Sequence, residues 1–171
     1  MVIVTGHKQT VKDEMHEIIV FTGTEVVPCP VCSGRLKLHG TCMRKLQEAD
    51  GTVLYRLRVL ECTECGKTHR ELPPWIIPFK RMALDVLNDI SESDNANLEI
   101  AESSTWYRIK AWVAWFLGYA MHVLQALLVS DQSIQTIPTG AAQREKLAYS
   151  VRVVANSGRW IQHRSAMTNG W

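Results

Sequence analysis

Four of the five cysteines fall in two Cys-x-x-Cys pairs, Cys29-Pro-Val-Cys32 and Cys62-Thr-Glu-Cys65, with twenty-nine residues between them. A Cys-x-x-Cys turn presents two thiolates to one ion, and four soft ligands around one centre suit tetrahedral zinc. Small residues trail each pair, Ser33-Gly34 after the first and Gly66 after the second, and glycine accepts the positive φ such turns require. Four thiolates fill the tetrahedron and leave no open coordination position, so the centre is expected to be structural. An iron site of rubredoxin type would use the same donors, but nothing else in the chain points to electron transfer. A redox dithiol would sit in a βαβ context, which this region lacks.

The elements that must position these pairs read as strands and turns. Arg35–His39 alternates into Gly40, Thr41–Gln47 follows, and Asp50-Gly51 is a hairpin signal. Thr52–Glu61 places Val53, Tyr55, Leu57 and Val59 on one face and Leu54, Arg56, Arg58 and Leu60 on the other. The hairpin would bring the two pairs together. Cys42 lies mid-strand and reads as a small packed apolar residue. His69 stands four residues after Cys65 and could replace one cysteine as a ligand, although four thiolates already suffice. His7 and His16 lack partners at ligand spacing. Residues 1–27 read as a lead-in with a short strand at 17–22.

From residue 75 the pattern changes to helix. Phe79, Met82, Ala83, Val86, Leu87 and Ile90 recur at helical spacing after Pro78. Ala96–Ala101 reads as a short helix. Ser103 or Ser104 would cap a long helix running to about Ser130. Ala141–Ala155 is a further helix, closed by Asn156-Ser157-Gly158, a sequence suited to a left-handed C-cap. The expected fold class is therefore α+β, a small zinc-ribbon domain (28–74) followed by an all-helical, helix-turn-helix-like domain (75–130) and a C-terminal helix with a basic tail (131–171).

Charge is distributed in blocks. Residues 29–82 carry ten Lys/Arg against five Asp/Glu, residues 83–105 carry six acids and no base, and residues 106–171 carry seven bases against two acids. The net charge is +2, a modest excess that by itself says little about a phosphate partner. The opening seventeen residues lack the pattern of a secretory signal, so a cytoplasmic location and reduced thiols are expected. Ala111–Val129 holds no charge over nineteen residues, long enough to span a bilayer. His122, Gln125 and Gly118 within it, and the earlier start of the helical pattern, favour a helix buried in a helical domain, and a membrane partner is not expected.

The start of the long helix, Ser103-Ser104-Thr105-Trp106-Tyr107-Arg108-Ile109-Lys110, has the composition of a recognition helix. Ser104, Thr105, Tyr107, Arg108 and Lys110 would meet phosphates and base edges, and Ile109, Trp112 and Val113 would face the core. A plain amphipathic core helix with a polar start explains the same residues equally well. Lys80, Arg81, Arg159 and Arg164 are further candidates for phosphate contact, as is the strand face bearing Arg56 and Arg58 with Arg44 and Lys45.

From Cys29 to Trp160 the chain resembles a bacterial family of zinc-ribbon plus helix-turn-helix proteins that look like the N-terminal DNA-binding parts of insertion-sequence transposases. The resemblance rests on the two cysteine pairs, on His69-Arg70-Glu71-Leu72-Pro73, on Ile77-Pro78-Phe79-Lys80-Arg81, on Ser103-Ser104-Thr105 leading to Arg108 and Trp112, and on Asn156-Ser157-Gly158-Arg159-Trp160. It implies a zinc ribbon feeding a helical DNA-binding domain, and no reaction. The acidic stretch between the first two helices departs from this pattern.

No catalytic constellation is legible: there is no glycine-rich phosphate loop, no nucleophile motif and no second acidic block of the kind a transposase nuclease core needs. The expected function is a non-catalytic, zinc-dependent DNA-binding protein of mobile-element or regulatory type, working alone, with a recombinase or with a second copy. The alternative is a protein-interaction adaptor that docks through the zinc ribbon or the apolar helix 111–129.

Overall fold

The computed structural model describes residues 1–13, 18–94, 103–130 and 140–160. The chain is α+β, with a six-stranded sheet followed by three helices. The strands are β1 (Val2–Val4), β2 (His7–Asp13), β3 (Ile18–Gly23), β4 (Leu36–Glu48), β5 (Gly51–Cys62) and β6 (Thr68–Leu72). The helices are α1 (Leu84–Glu92), α2 (Ser103–Ser130) and α3 (Gln143–Asn156).

β4 and β5 form one long antiparallel hairpin from the Leu36↔Cys62 pair to the Glu48↔Gly51 pair. Its turn is Ala49-Asp50, and the two segments read separately as 35–39 and 41–47 are one strand with an irregularity between Leu38 and Gly40. On its other edge β5 pairs parallel with β3 through Leu54–Arg56 and antiparallel with β6 through Val59–Glu61. β1 runs parallel to β6, and β2 closes the far edge on β3. Residues 1–27, expected as a lead-in with one strand, thus supply three strands.

The alternation read in Thr52–Glu61 matches the burial. Tyr55 and Leu57 are buried, while Arg56 and Leu54 on the opposite face are half-exposed. The buried face meets the helices. One hydrophobic cluster runs from Val4 and Phe21 through Leu46, Tyr55, Leu57 and Leu72 into Leu87, Ile109, Phe116 and Val151. Burying side chains of this size contributes about 1.5–3 kcal/mol each, so sheet and helices stabilise one another.

α1 begins later than the periodicity predicts, at Leu84 rather than near Phe79. The reason is local. Pro78 has no N–H, and Ile77–Lys80 is a turn in which the Lys80 N–H donates to the Ile77 carbonyl at 3.2 Å. Phe79 takes φ 62° at its third position and is exposed, which corrects its reading as a core helix residue. The segment then adds to the edge of β4, with Gln47 N–H on Arg81 O and Ala83 N–H on Gln47 O.

α2 spans the residues expected of it. Ile109, Trp112 and Val113 face the core as read from the sequence, and Trp106 and Phe116 are buried with them. By length and composition α2 is also long and apolar enough to cross a membrane. The short helix expected over 96–101 lies outside the described residues. α3 ends as its sequence predicts, with the Ser157 N–H on Val153 O and Gly158 at φ 70°. The Asn156 side chain then lies along β1, donating to Val4 O at 2.8 Å and accepting from Val4 N–H at 2.7 Å.

Candidate metal centre

The hairpin carries the two cysteine pairs to one end of the sheet. Cys62 is the last residue of β5, facing Leu36 at the start of β4. The two turns repeat one hydrogen-bond pattern. Ser33 N–H donates to Cys29 O (2.8 Å) and Cys29 N–H to Gly34 O (2.9 Å). Gly66 N–H donates to Cys62 O (3.0 Å) and Cys62 N–H to Lys67 O (3.0 Å). The left-handed residue one after the second cysteine is Ser33 (φ 61°) in the first turn and Gly66 (φ 67°) in the second. Gly34 therefore serves a different purpose from the one expected: a Cβ there would lie 2.9 Å from the Cys62 sulfur.

All four sulfurs lie within 4.8 Å of one another. Cys32 and Cys62 approach to 3.5 Å and Cys29 and Cys65 to 3.8 Å. Both separations far exceed a disulfide bond of about 2.05 Å. They match the edge of a tetrahedron, about 3.8 Å, that Zn–S bonds of about 2.3 Å would set. Cys29 and Cys62 are buried, and Cys32 and Cys65 lie towards solvent. The Cys65 N–H, assisted by the Glu64 N–H, draws the Cys62 thiol down to about 7 against its desolvation. Cys32 moves the other way: despite the Gly34 N–H it is pushed up to about 12 by the neighbouring sulfurs, so the crowded thiols do not give up their protons together. The donor set fits a tetrahedral metal ion such as zinc.

His69 does not replace a cysteine. It is 1% exposed on β6, with Nε2 at 3.4 Å from the Cys29 sulfur. A thiolate only accepts, so the ring nitrogen facing it carries the proton, and the imidazole supports a ligand from outside the tetrahedron. Burial, with the N-terminal ammonium and Lys67 nearby, holds His69 below its ordinary pKa and keeps the ring neutral. Cys42 is half-buried on β4, away from the cluster.

The candidate phosphate contacts divide sharply. Ser104, Tyr107 and Arg108 are exposed on α2, Thr105 is half-buried, and Arg81 and Arg159 are exposed. Lys80 is corrected by its burial. It is 6% exposed with its ammonium 4.4 Å from the Trp112 ring, which removes it from any surface a phosphate could reach. Lys110 is likewise turned inward, its ammonium over Trp106 and donating to Ser93 O, the carbonyl that follows α1. Arg164 lies outside the described residues.

The basic strand face is also smaller than the sequence implied. Arg44 points to the helix side and donates to Ile77 O (3.0 Å) and Lys80 O (2.5 Å). Arg58 is committed to Glu71, a fully buried carboxylate that it grips through Nε (2.5 Å) and Nη2 (2.7 Å). Thr5 Oγ1 and the Gly23 N–H also donate to Glu71. This cluster lies where β5 changes partner from β3 to β6. No sequence signal announced it, because its members come from three strands and from Thr5, the residue that follows β1.

Fold and site define an α+β protein with a candidate four-cysteine metal site at the open end of a β-hairpin. Residues 29–109 match a family model described as a domain of unknown function (DUF6431), a segment that runs from the first cysteine into α2. No curated protein and no solved structure matches the chain.

Proposed function

We propose that this is a cytoplasmic, zinc-stabilised DNA-binding protein of mobile-element or regulatory type, with no catalytic activity of its own. The observation that supports this reading is the start of α2. Ser104, Tyr107 and Arg108 are exposed, while Trp106, Ile109 and Trp112 from the same turns are buried. The first turn of α2 holds no acidic residue to oppose the positive end of its dipole. The helix start is thus rigidly anchored and offers hydroxyl, phenol and guanidinium groups outward, as a reader of phosphate and base edges requires. The transposase relation rests on the sequence resemblance alone. Zinc would hold the hairpin that carries the sheet end of the core, with Arg81 and Arg159 as further phosphate contacts.

A gel-shift titration with random duplex DNA tests this reading. Zinc-loaded protein should retard the duplex at low salt and lose affinity steeply as salt rises. Arg108→Ala with Tyr107→Ala should weaken binding and leave zinc content unchanged. Absence of a salt-sensitive shift, or full affinity in the double variant, would refute it.

An adaptor role is the second reading. Trp115 (40% exposed), Met121 and Val129 stand on the outer side of α2 and form no part of the core. It predicts self-association or a co-purifying partner and no salt-sensitive DNA shift.

A further inference from the structure

Beyond the α2 surface, the helix-facing side of the sheet is left uncovered near the metal end. A cavity of about 400 Å³ opens there, with Cys42 and Val59 as its apolar floor and Thr68, Arg70 and Phe79 around it. Two features set it apart. First, Phe79 presents an aromatic ring to solvent from φ 62°, a conformation that the third position of such a turn reserves for glycine or asparagine. A bulky residue persists there only where its surroundings over-determine it. Here Pro78 precedes it and Arg44 clamps the carbonyls of Ile77 and Lys80 on either side. Second, the cavity is cationic. Arg70 is exposed and has no carboxylate partner among the described residues, and Arg44 stands close enough to feel its charge. The carboxylate that faces this edge in register, Glu61, is taken by Lys37 (3.2 Å) and His39 (3.6 Å).

A rigid exposed ring beside an unneutralised guanidinium is the pairing by which proteins hold an unpaired base and its phosphate. We propose that this cavity binds one nucleotide unit, with the base stacked on Phe79 and the phosphate against Arg70. The unit comes either from a single strand or from a free nucleotide. The site is independent of the α2 surface.

The test is fluorescence anisotropy of a 5′-labelled mixed-sequence 12-mer single strand with the zinc-loaded full chain, with AMP and a 12-base-pair duplex as competitors. Phe79→Gly removes the ring and suits the turn, so thermal stability should hold while strand affinity falls about tenfold. Arg70→Ala should flatten the log–log salt dependence by about 0.7. Competition by AMP at concentrations comparable to the strand would identify a free nucleotide as the ligand, and competition by the strand alone a nucleic acid. Failure of both strand and AMP to bind would overturn the proposal, as would wild-type affinity in folded Phe79→Gly. An equal loss on duplex and strand would also contradict it, since a paired base cannot stack on the ring. Should Phe79→Gly fold poorly, Arg70→Ala decides, because an unchanged affinity and salt slope in that exposed variant would refute phosphate contact.

Discussion

The Cα of Gly158 stands against the carbonyl oxygen of Pro30, so close that a Cβ there would lie 2.4 Å from it. Pro30 belongs to the first cysteine turn and Gly158 to the end of α3, so the metal centre and the helical layer touch through bare backbone. The neighbouring residues of the same stretch each have a fixed partner. Asn156 bonds β1, the Arg159 carbonyl accepts from Tyr119 at 2.6 Å, and Trp160 packs on Phe116.

Gly158→Ala should therefore destabilise the protein by about 1–3 kcal/mol, from the strained φ and the clash with a backbone carbonyl rather than with the end of a flexible side chain. Gly118→Ala is the matched control. Gly118 lies mid-helix with open space around it, and alanine there should raise stability by up to about 1 kcal/mol. Thermal unfolding of the zinc-loaded variants measures both, and a Gly158→Ala protein as stable as wild type would show that the contact is loose.

The Arg58–Glu71 pair predicts a larger loss. Glu71 is fully buried and takes two bonds from Arg58. Arg58→Met would leave the carboxylate with Thr5 and Gly23 alone and should cost about 3–5 kcal/mol, the usual consequence of stranding a buried charge. The double variant Arg58→Met with Glu71→Met should recover part of that loss. Chemical denaturation reads both.

Lys80 gives a pH dependence with a definite sign. Burial lowers its pKa from 10.5 to about 8, so between these values the unfolded chain binds more protons than the folded one. Stability should therefore rise as pH increases from about 8 towards 10.5. Lys80→Met should remove that rise and stabilise the protein at pH 7, where the buried ammonium is charged. The contact with Trp112 opposes the shift and sets how large the rise is. Denaturant midpoints at several pH values check this, and a flat wild-type profile would contradict it.

His69 is the outer support of the metal site. His69→Ala should leave one metal ion per chain and weaken its affinity about 10–100-fold, the range seen when a ligand loses its second hydrogen-bonded partner. Chelator competition measures this. Loss of stoichiometric metal would instead make His69 a ligand.

What the sequence disclosed follows from locality. The Cys-x-x-Cys turns, the two-residue alternation of β5, the long helix from Ser103 and the left-handed end of α3 are each written within a few adjacent residues. The rest depends on partners far apart in the chain. Residues 7–13 (HKQTVKD) lack an apolar alternation because β2 is an edge strand, and β1 becomes a strand only by lying beside β6. Lys80, Lys110, Arg44 and Arg58 looked like candidate phosphate ligands because a cation's sequence position does not reveal whether an indole, a helix-terminal carbonyl or a buried carboxylate waits for it. Phe79 kept helical spacing with Met82 and Val86, yet Pro78 and the Arg44 clamp turned it outward.

The end of the hairpin depends on four sulfurs, at separations of 3.5 and 3.8 Å across the two turns, closing on one ion. The direct measurement is elemental analysis of protein purified under reducing conditions without chelator, with Cys62→Ser in parallel. One zinc per chain in the wild type, with loss of metal and of cooperative unfolding in Cys62→Ser, is the predicted result. A metal-free wild-type protein that unfolds cooperatively, or a Cys62→Ser variant that keeps full stability, would contradict it.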